Sequence, residues 1–469
     1  MAADDARSLT DALAAVHDEL WDPAVRLDRM APGVTPGVDL SSLGLHSVRE
    51  SALGAYADLR VGDVERALAT LRAVLRHQYD APGRPWDGTF RVTAEQADPP
   101  DDEAVEWLHY DPNWRQFLGS ILLVVLLEHG RLLPPDLVDG IVEAVRRCAV
   151  GEPEDRIPEW YTNPNLLHAW VAAHAGRLTA DTGLVDGGVR RAARTMERLD
   201  LLGDVDEYNS PTYDGVDLIA AALWIVHPPV DDFAEWGRSL LERLCGRLSV
   251  LVDPDLGTVC GPYSRAYGLG LDHYVSLLGL WLHVAGVAGV VPSAVDTGTD
   301  HVHDLYFLPL IDRLASAVAP PWMLRPVRDE RRHVQAFGGA VATSVLRPGL
   351  SVGWADGPVP SFAADQYLPF VVHARTADGV AHLGLRPGGG ISGLQVVDQT
   401  GRSQQVECVT SGGAGELRLE SSEPWSIIDG VGPRSGPFRV ETSGEVVVDD
   451  RGAAVSFTGG SGELIVRCS

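Results

Sequence analysis

Apolar residues recur at three- and four-residue spacing up to about residue 318, and this spacing predicts a succession of α-helices. Proline and glycine punctuate the joins, as at Pro134-Pro135 and Pro228-Pro229, so the connections are predicted to be short loops. The predicted helices run from Leu9 to Leu20, Leu43 to Leu59, Val64 to Gln78, Trp114 to His129, Pro135 to Cys148, Leu166 to His174, Gly188 to Leu199, Tyr213 to Val226, Phe233 to Leu248, Tyr274 to Val287 and His303 to Ala315. Helices joined in this way predict about six stacked hairpins arranged as a ring.

The pattern changes after the linker at residues 315–322, where helical periodicity ends and short β-prone segments alternate with Gly, Asp and Ser turns. The segments are Ala340 to Leu346, Leu368 to Ala374, Gly393 to Val397, Ser403 to Val409, Glu416 to Glu420 and Gly444 to Val448. They predict an antiparallel sheet packed as a sandwich. The predicted fold class is therefore α+β multidomain, with a helical ring over residues 1–318 and a β-sandwich over residues 319–469.

Length and charge narrow the range of functions. A chain of 469 residues exceeds what one hydrophobic core normally serves, so two domains are expected. The formal net charge of −27 argues against nucleic acid as a partner, and mildly against a long polyanionic substrate. No apolar run approaches the roughly 18 residues that span a bilayer, and the acidic N-terminal residues do not have the basic and then apolar pattern expected of a secretory signal. We therefore expect a cytoplasmic protein without a membrane partner, and the sequence leaves room for a homo-oligomer without specifying one.

The five cysteines indicate reduced thiols. They are widely scattered, with neither a C-x-x-C pair nor the spacing of a zinc site. Cytoplasmic proteins usually keep such thiols reduced. The sequence also lacks G-x-G-x-x-G, P-loop and Ser-His-Asp patterns, so we expect no nucleotide cofactor, no metal and no hydrolase triad of the serine type.

Four clusters in the helical part combine aromatic rings with amide, imidazole, carboxylate or guanidinium groups just before a helix begins. They occupy residues 109–115, 160–168, 206–217 and 261–274. A helix start that serves only the fold needs one capping residue, and sometimes a proline, rather than several phenols. Because loops at one end of a ring converge, we expect the clusters to meet around one cavity.

The chemistry of these clusters suits proton abstraction next to a carboxylate. Amide and cationic groups stabilise the enolate-like state, which is usually the largest catalytic term. A tyrosine then exchanges the proton, and its ordinary pKa of about 10 must fall before it can act as a base. Arg265, flanked by Tyr263 and Tyr267, is expected to lower the pKa of a neighbouring phenol by favouring the phenolate.

Structural explanations remain open for several of these residues. Asn113 and Asn163 could be helix N-caps, with Pro164 at the first helical position. Ser210 or Thr212 is expected to cap its helix rather than to act as a nucleophile. A histidine on an apolar helical segment, such as residue 168, is more often buried than catalytic.

The segment Glu207-Tyr208-Asn209-Ser210-Pro211-Thr212-Tyr213 resembles, with one residue inserted, the Glu-x-Ser-Pro-x-Tyr motif of the heparinase II/III and alginate lyase group of polysaccharide lyases. Those proteins have an α/α toroid followed by an antiparallel β-sandwich, the order of elements expected here over nearly the whole chain. The resemblance implies that Tyr213 is the catalytic tyrosine, with Tyr208 as its rival.

The same resemblance implies further roles. Asn163 and Asn165, with His168 after them, occupy the place of the family's Asn-His element, although the pair is not adjacent in this chain. A histidine of the β domain, His333 or His373, would complete the site. The catalytic candidates are Tyr213, Tyr208, Asn163, Asn165, His168, Arg265 and Tyr267, and the substrate-binding candidates are His109, Trp114, Arg115, Tyr161, Glu207, Asn209, Tyr263, His273 and His373.

The leading hypothesis is a cofactor-independent lyase that cleaves a short oligosaccharide containing uronic acid by β-elimination. A sugar epimerase would use the same proton abstraction. A glycoside hydrolase on the same ring would need two carboxylates, for which Asp111, Glu207 and Asp214 are candidates. A non-catalytic glycan-binding protein would need only the aromatic loops.

Overall fold

Helices occupy the N-terminal two thirds of the protein, as predicted. The computed structural model describes residues 8–34, 43–359, 366–377, 379–388, 391–400, 403–410, 414–421, 425–428, 432–449, 452–458 and 461–468. Within these residues the helices are α1 (Leu9–Leu20), α2 (Val48–Val61), α3 (Val64–Leu75), α4 (Trp114–His129), α5 (Pro135–Val150), α6 (Thr162–Thr179), α7 (Thr182–Leu202), α8 (Asp214–Val226), α9 (Asp231–Leu251), α10 (Leu277–Val284) and α11 (Leu308–Val318). Each helix that the periodicity predicts is present, with shifted ends in most cases.

Five helices form the inner layer of the helical part. Helices α2, α4, α6 and α8 contact one another in that order, α8 contacts α11, and α11 returns to contact α2, which closes the cycle. Helices α3, α5, α7 and α9 each pack outside the inner helix that precedes them, and α10 lies against α8 and α11. The run Leu218–Trp224 of α8 is buried on all sides, as an inner helix requires, whereas α7 buries only one stripe.

Two helix boundaries differ from the prediction for identifiable reasons. Helix α10 begins at Leu277 rather than Tyr274, because Ser276 caps it and its hydroxyl accepts a hydrogen bond of 3.0 Å from the Gly279 N–H. The predicted helix His303 to Ala315 is two elements, a 3₁₀ segment over Val302–Phe307 followed by α11. Pro309 lies in the first turn of α11, where its missing N–H leaves no hydrogen bond unmade.

Short strands in the helical part were not predicted. Strands β1 (Trp21–Asp22), β2 (Leu27–Arg29) and β3 (His46–Ser47) form a three-stranded sheet, and β4 (Val252–Asp253) pairs with β5 (Thr258–Val259). Segments of two or three residues are too short to show the two-residue period that identifies a strand.

The C-terminal part is an antiparallel sheet system. Its strands are β6 (Arg331–Phe337), β7 (Ala340–Arg347), β8 (Leu350–Pro358), β9 (Phe370–Arg375), β10 (Val380–Pro387), β11 (Ile391–Thr400), β12 (Ser403–Thr410), β13 (Ala414–Ser421), β14 (Trp425–Ile428), β15 (Gly432–Ser435), β16 (Phe438–Thr442), β17 (Glu445–Asp449), β18 (Gly452–Thr458) and β19 (Ser461–Cys468). Two halves are joined where β8 pairs with β11. Val352 and Phe370 of one half share a hydrophobic core with Val440 and Val466 of the other, so the halves face each other as in a sandwich.

The loop between β5 and α10 lies against the sheet. Tyr263 forms an isolated β-bridge with Leu368, and the Ser344 hydroxyl donates a hydrogen bond of 2.6 Å to the Gly261 carbonyl. A Cβ atom at Gly353 would lie 1.8 Å from the same carbonyl oxygen, so only glycine permits this approach. The sheet thus fixes the path of the loop that carries Arg265.

A buried histidine ties the first helix to the helical layer. His17 Nδ1 lies 2.8 Å from Asp28 Oδ1, and His17 Nε2 lies 3.2 Å from Asp58 Oδ1. Burial by itself lowers the pKa of His17, but hydrogen bonds and charge attraction from Asp28 and Asp58 outweigh that effect and raise the pKa to about 9.

The raised pKa of His17 predicts a pH-dependent stability. Because the ordinary value is about 6.5, the folded protein holds this proton more tightly than the unfolded chain. The stabilisation is fully present below pH 6.5 and is lost as the pH rises to 9. Urea denaturation should show that the wild type loses roughly 3 kcal/mol more than His17→Gln across this range. Equal pH dependence in the two proteins would show that His17 is not its source.

Candidate functional site

A cavity of about 270 Å³, called the polar cavity below, lies where the inner helices begin. Arg49 of α2, Trp114 of α4, Asn163 of α6, Tyr213 before α8 and Phe307 before α11 all line it. The N-terminal ends of all five inner helices therefore face one space. Each such end carries a partial positive charge, so together they favour an anionic or strongly polar ligand.

Two tyrosines and an arginine form a hydrogen-bonded group in the wall of the polar cavity. The hydroxyls of Tyr213 and Tyr267 lie 3.0 Å apart and share a hydrogen bond. Arg265 Nη2 donates a hydrogen bond of 2.9 Å to the Tyr213 hydroxyl, and the guanidinium carbon lies 3.9 Å from the centre of the Tyr213 ring. The Tyr213 oxygen is thus held by both a cation and a second phenol.

Glu207 orients this group from beneath the cavity surface. Its carboxylate is fully buried and accepts a hydrogen bond of 2.6 Å from Arg265 Nη1. It also accepts bonds of 3.1 and 2.8 Å from the backbone N–H and the side-chain amide of Asn163. Arg265 Nε donates to Gln366 Oε1 at 2.9 Å. One carboxylate therefore fixes both the amide and the guanidinium of the site.

Arg265 acts on the pKa of Tyr213 in the predicted direction, but the net pKa of this phenol is raised, not lowered. Burial raises the pKa of Tyr213 well above its ordinary value, the neighbouring Tyr267 raises it further, and Arg265 only opposes these effects. Burial likewise raises the pKa of Tyr267. Both phenols are therefore protonated at neutral pH.

The lining of the polar cavity also includes four residues that the sequence analysis missed, which are Arg49, His303, Asp304 and Phe307. The Arg49 guanidinium lies over the Trp114 and Phe307 rings at 5.6 and 6.0 Å from their centres. Burial raises the pKa of Asp304 to about 7, against the opposing charge of Arg49, and lowers the pKa of His303 well below its ordinary value. The sequence pattern could have identified them, because residues 302–309 combine histidine, acid and aromatic rings before a proline-containing helix start, as the four predicted clusters do.

Of the predicted site residues, six line the polar cavity. They are Trp114, Tyr161, Asn163, Tyr213, Arg265 and Tyr267. Asp111, from the hydrolase alternative, also lines it, and burial raises the pKa of its carboxyl. Asn163 is not an N-cap, since α6 already begins at Thr162. Ser210 is not the N-cap of α8 either, since that position is Tyr213; its hydroxyl accepts a hydrogen bond of 3.0 Å from the Tyr213 N–H and closes the turn before the helix.

Three predicted residues beside the cavity serve the fold instead. Arg115 is fully buried, and its guanidinium donates to main-chain carbonyls that include that of Asp87. Asn165 uses its amide to bind the carbonyls of Pro158 and Tyr161, which shapes the loop before α6. His168 is buried and does not line the cavity, and burial lowers its pKa to about 3, so it is neutral.

The first half of the predicted tyrosine motif also faces inward. Tyr208 is fully buried and stacks on Phe337 at 5.2 Å between ring centres, so it does not compete with Tyr213 for the cavity. The Asn209 amide donates to the carbonyls of Cys260 and Pro262 at 2.8 Å each. Tyr263 is buried against the sheet.

The predicted histidines lie outside the polar cavity. His109 Nδ1 accepts a hydrogen bond of 3.0 Å from the Val105 N–H. His373 is buried in the sheet, 2.8 Å from the Ser351 hydroxyl, and His333 stacks parallel to the Tyr208 ring. His273 belongs to a separate cluster described below.

Two acids of the hydrolase alternative are also displaced from the cavity. Glu207 is occupied with Asn163 and Arg265, as described above. Asp214 is fully buried 2.7 Å from Arg247 Nη2, and burial raises its pKa to about 7. Among the three acids named for hydrolysis, Asp111 alone is placed to meet a ligand.

Comparisons with known proteins identify the family. The family described as a domain of unknown function, DUF8769, matches residues 15–316, and the chain belongs to it. No curated protein is detectably similar in sequence. Among the described residues, none of the helices has both the length and the apolar composition needed to cross a bilayer.

Three solved structures align with most of the chain at low similarity. They are the α-L-rhamnosidase of Streptomyces avermitilis in complex with L-rhamnose (13% identity, TM-score 0.33, 98% of this chain and 41% of that one), the α-L-rhamnosidase of Dictyoglumus thermophilum (12%, 0.25, 90% and 46%) and the endoglucanase CelQ of Clostridium thermocellum in complex with cellotetraose (9%, 0.25, 90% and 83%). This chain spans less than half the length of either rhamnosidase.

Proposed function

We propose that the polar cavity is the active site of a carbohydrate-active lyase that cleaves a uronate-containing oligosaccharide by β-elimination, on a helical part of the α/α-toroid class. The observation that carries the proposal is the Tyr213 hydroxyl, held between Arg265 and Tyr267 in a cavity that also presents the Asn163 amide. Phenol, guanidinium and amide together meet the needs of proton abstraction beside a carboxylate.

The elimination step assigns a role to each group. Tyr213, as phenolate, takes the proton from the carbon next to the substrate carboxylate. The electron pair left on that carbon forms a carbon–carbon double bond, and the neighbouring glycosidic C–O bond breaks. The leaving oxygen takes a proton from Tyr213, which returns it to the phenolate form. The Asn163 amide and the Arg49 guanidinium lie in the cavity wall to bind the substrate carboxylate as its charge grows.

Charge supports a short substrate. The chain as a whole repels polyanions with its net charge of −27, whereas the polar cavity collects Arg49, Arg265 and the positive ends of five helices. The two carboxyl groups in its lining, Asp111 and Asp304, have pKa values that burial raises, which reduces their negative charge. A single carboxylate fits these local charges, and a long acidic polymer would also meet the repulsion of the surrounding surface.

A product assay with a pH series tests the proposal. Elimination leaves a double bond that absorbs ultraviolet light, and neither hydrolysis nor epimerisation does so. Because the pKa of Tyr213 is raised, the phenolate fraction grows with pH, so the rate should rise from neutral to alkaline pH. Turnover of a uronate oligosaccharide panel without ultraviolet absorbance would reject elimination.

A specific observation favours glycoside hydrolysis as the second candidate. Asp304 has a pKa of about 7, so part of it remains protonated at neutral pH and could act as a general acid, with Asp111 as the second carboxylate. This mechanism predicts the opposite pH dependence, since the rate should fall as Asp304 loses its proton above pH 7. The direction of the alkaline limb therefore separates the two candidates.

A further inference from the structure

Two histidines and an aspartate meet outside the polar cavity, at the junction of the helical part and the sheet. Asp272 and His273 lie in the loop between β5 and α10, and His382 lies on β10. The Oδ1 atom of Asp272 is 3.7 Å from Nε2 of His273 and 3.6 Å from Nε2 of His382. One potential ligand atom from each of the three residues falls within 4.8 Å of the others. This group is called the Asp–His–His cluster.

The separations suit a small divalent ion. A tetrahedral zinc ion with bonds of about 2.1 Å holds its ligand atoms about 3.4 Å apart. Asp272 and His273 expose 42% and 55% of their side chains, so both can make the small adjustment required, while His382 is almost fully buried and fixed. The exposed side of the cluster leaves a fourth position for water.

The surroundings of His382 hold its ring in a fixed position at the cluster. A Cβ atom at Gly270 would lie 2.7 Å from both Nε2 of His382 and Oδ1 of Asp272, so only glycine lets the loop pass this close to the two side chains. His373 packs edge-on against His382, with ring centres 5.2 Å apart, and orients its ring. His373 is itself engaged by Ser351 and by the main chain, so it supports the cluster and does not complete it.

We propose that the Asp–His–His cluster is a zinc-binding site that fastens the β5–α10 loop to the sheet. Two imidazoles and one carboxylate are ligands that zinc accepts readily. The same loop carries Arg265 and Tyr267, so the ion positions the wall of the polar cavity from a distance. The sequence shows no spacing typical of zinc ligands at this site, because His382 lies more than 100 residues after Asp272 and His273.

Zinc titration of the intact protein tests the site. The protein is purified without a histidine tag, or with the tag removed, dialysed against a chelator, and titrated with zinc chloride by calorimetry at neutral pH. The wild type should bind one zinc ion, and its Tm should rise with zinc concentration. His273→Ala and Asp272→Asn, both at exposed positions, should each weaken binding at least about tenfold and abolish most of the Tm response.

His283→Ala is the matched control, because His283 is an exposed histidine of α10 outside the cluster, and it should bind zinc as the wild type does. Two outcomes would overturn the proposal: no saturable binding by the wild type, or binding by His273→Ala and Asp272→Asn with unchanged affinity. Neither variant alters a residue of the polar cavity, so the result does not depend on the proposed elimination reaction.

Discussion

Tyr213→Phe should lower kcat/KM for elimination by about 10²- to 10⁴-fold, the usual contribution of a positioned acid or base. The change removes only the hydroxyl that Arg265 and Tyr267 hold, and the ring still packs beneath the Arg265 guanidinium. Initial rates from the ultraviolet absorbance of the unsaturated product give the measurement. Circular dichroism and Tm should match the wild type, which separates lost chemistry from lost structure.

Tyr79→Phe provides the matched control for this substitution. Tyr79 is buried away from the polar cavity, and within the part of the chain that the structure describes its hydroxyl has no hydrogen-bond partner. Its loss should leave the elimination rate unchanged. If Tyr213→Phe kept most of its activity, the assignment of Tyr213 would fail, and the carboxylates Asp304 and Asp111 would become the leading candidates.

Glu207→Gln should reduce both stability and activity. The substitution removes the buried anion that faces Arg265, and an uncompensated buried charge typically costs about 3–5 kcal/mol of unfolding free energy. It also weakens the hold on Asn163 and Arg265, and a small misplacement of such groups lowers kcat by about 10²-fold. Urea denaturation and initial rates measure the two effects separately.

Glu143→Gln is the comparison for that experiment. Glu143 accepts hydrogen bonds from Arg146 and Arg147 on the surface of α5, with nearly half of its side chain exposed. The same chemical change should there cost less than about 1 kcal/mol, because solvent screens the charges that remain. Equal losses in the two variants would show that burial of Glu207 is not what makes it important.

Helical periodicity predicted the helical part well, and its failures have physical causes. An inner helix such as α4 is both long and apolar, so Trp114 to His129 was located to the residue. The two-residue strands β1 and β3 carry no period to detect. The 3₁₀ segment before α11 is short, and its apolar residues have the same spacing as those of an α-helix. The sequence analysis therefore predicted the 3₁₀ segment and α11 as one helix.

Adjacent site residues show where sequence reasoning stops. Trp114 and Arg115 are neighbours in the first turn of α4, yet the first lines the polar cavity and the second is buried beneath it. Successive helical residues point about 100° apart, so composition locates the cluster without saying which member faces the ligand. Tyr208 and Tyr213 also face different surroundings, since the first stacks on Phe337 and the second lines the polar cavity.

Burial also reversed one electrostatic expectation. The prediction that Arg265 lies near the phenols agrees with its contact to Tyr213. The sequence could not show, however, how deeply the Tyr213 side chain is buried. Withdrawal from water raises the pKa of Tyr213 more than the guanidinium lowers it. Only the three-dimensional arrangement decides which of these opposing effects is larger.

The hydrogen bond from Arg265 to Gln366 has a consequence for engineering the protein. DUF8769 covers residues 15–316, whereas Gln366 lies well beyond that stretch. A truncated protein ending after α11 would retain every inner helix but would release one of the three anchors of this guanidinium. The C-terminal part therefore contributes directly to the polar cavity, and a shortened protein that is meant to keep this cavity intact needs to include it.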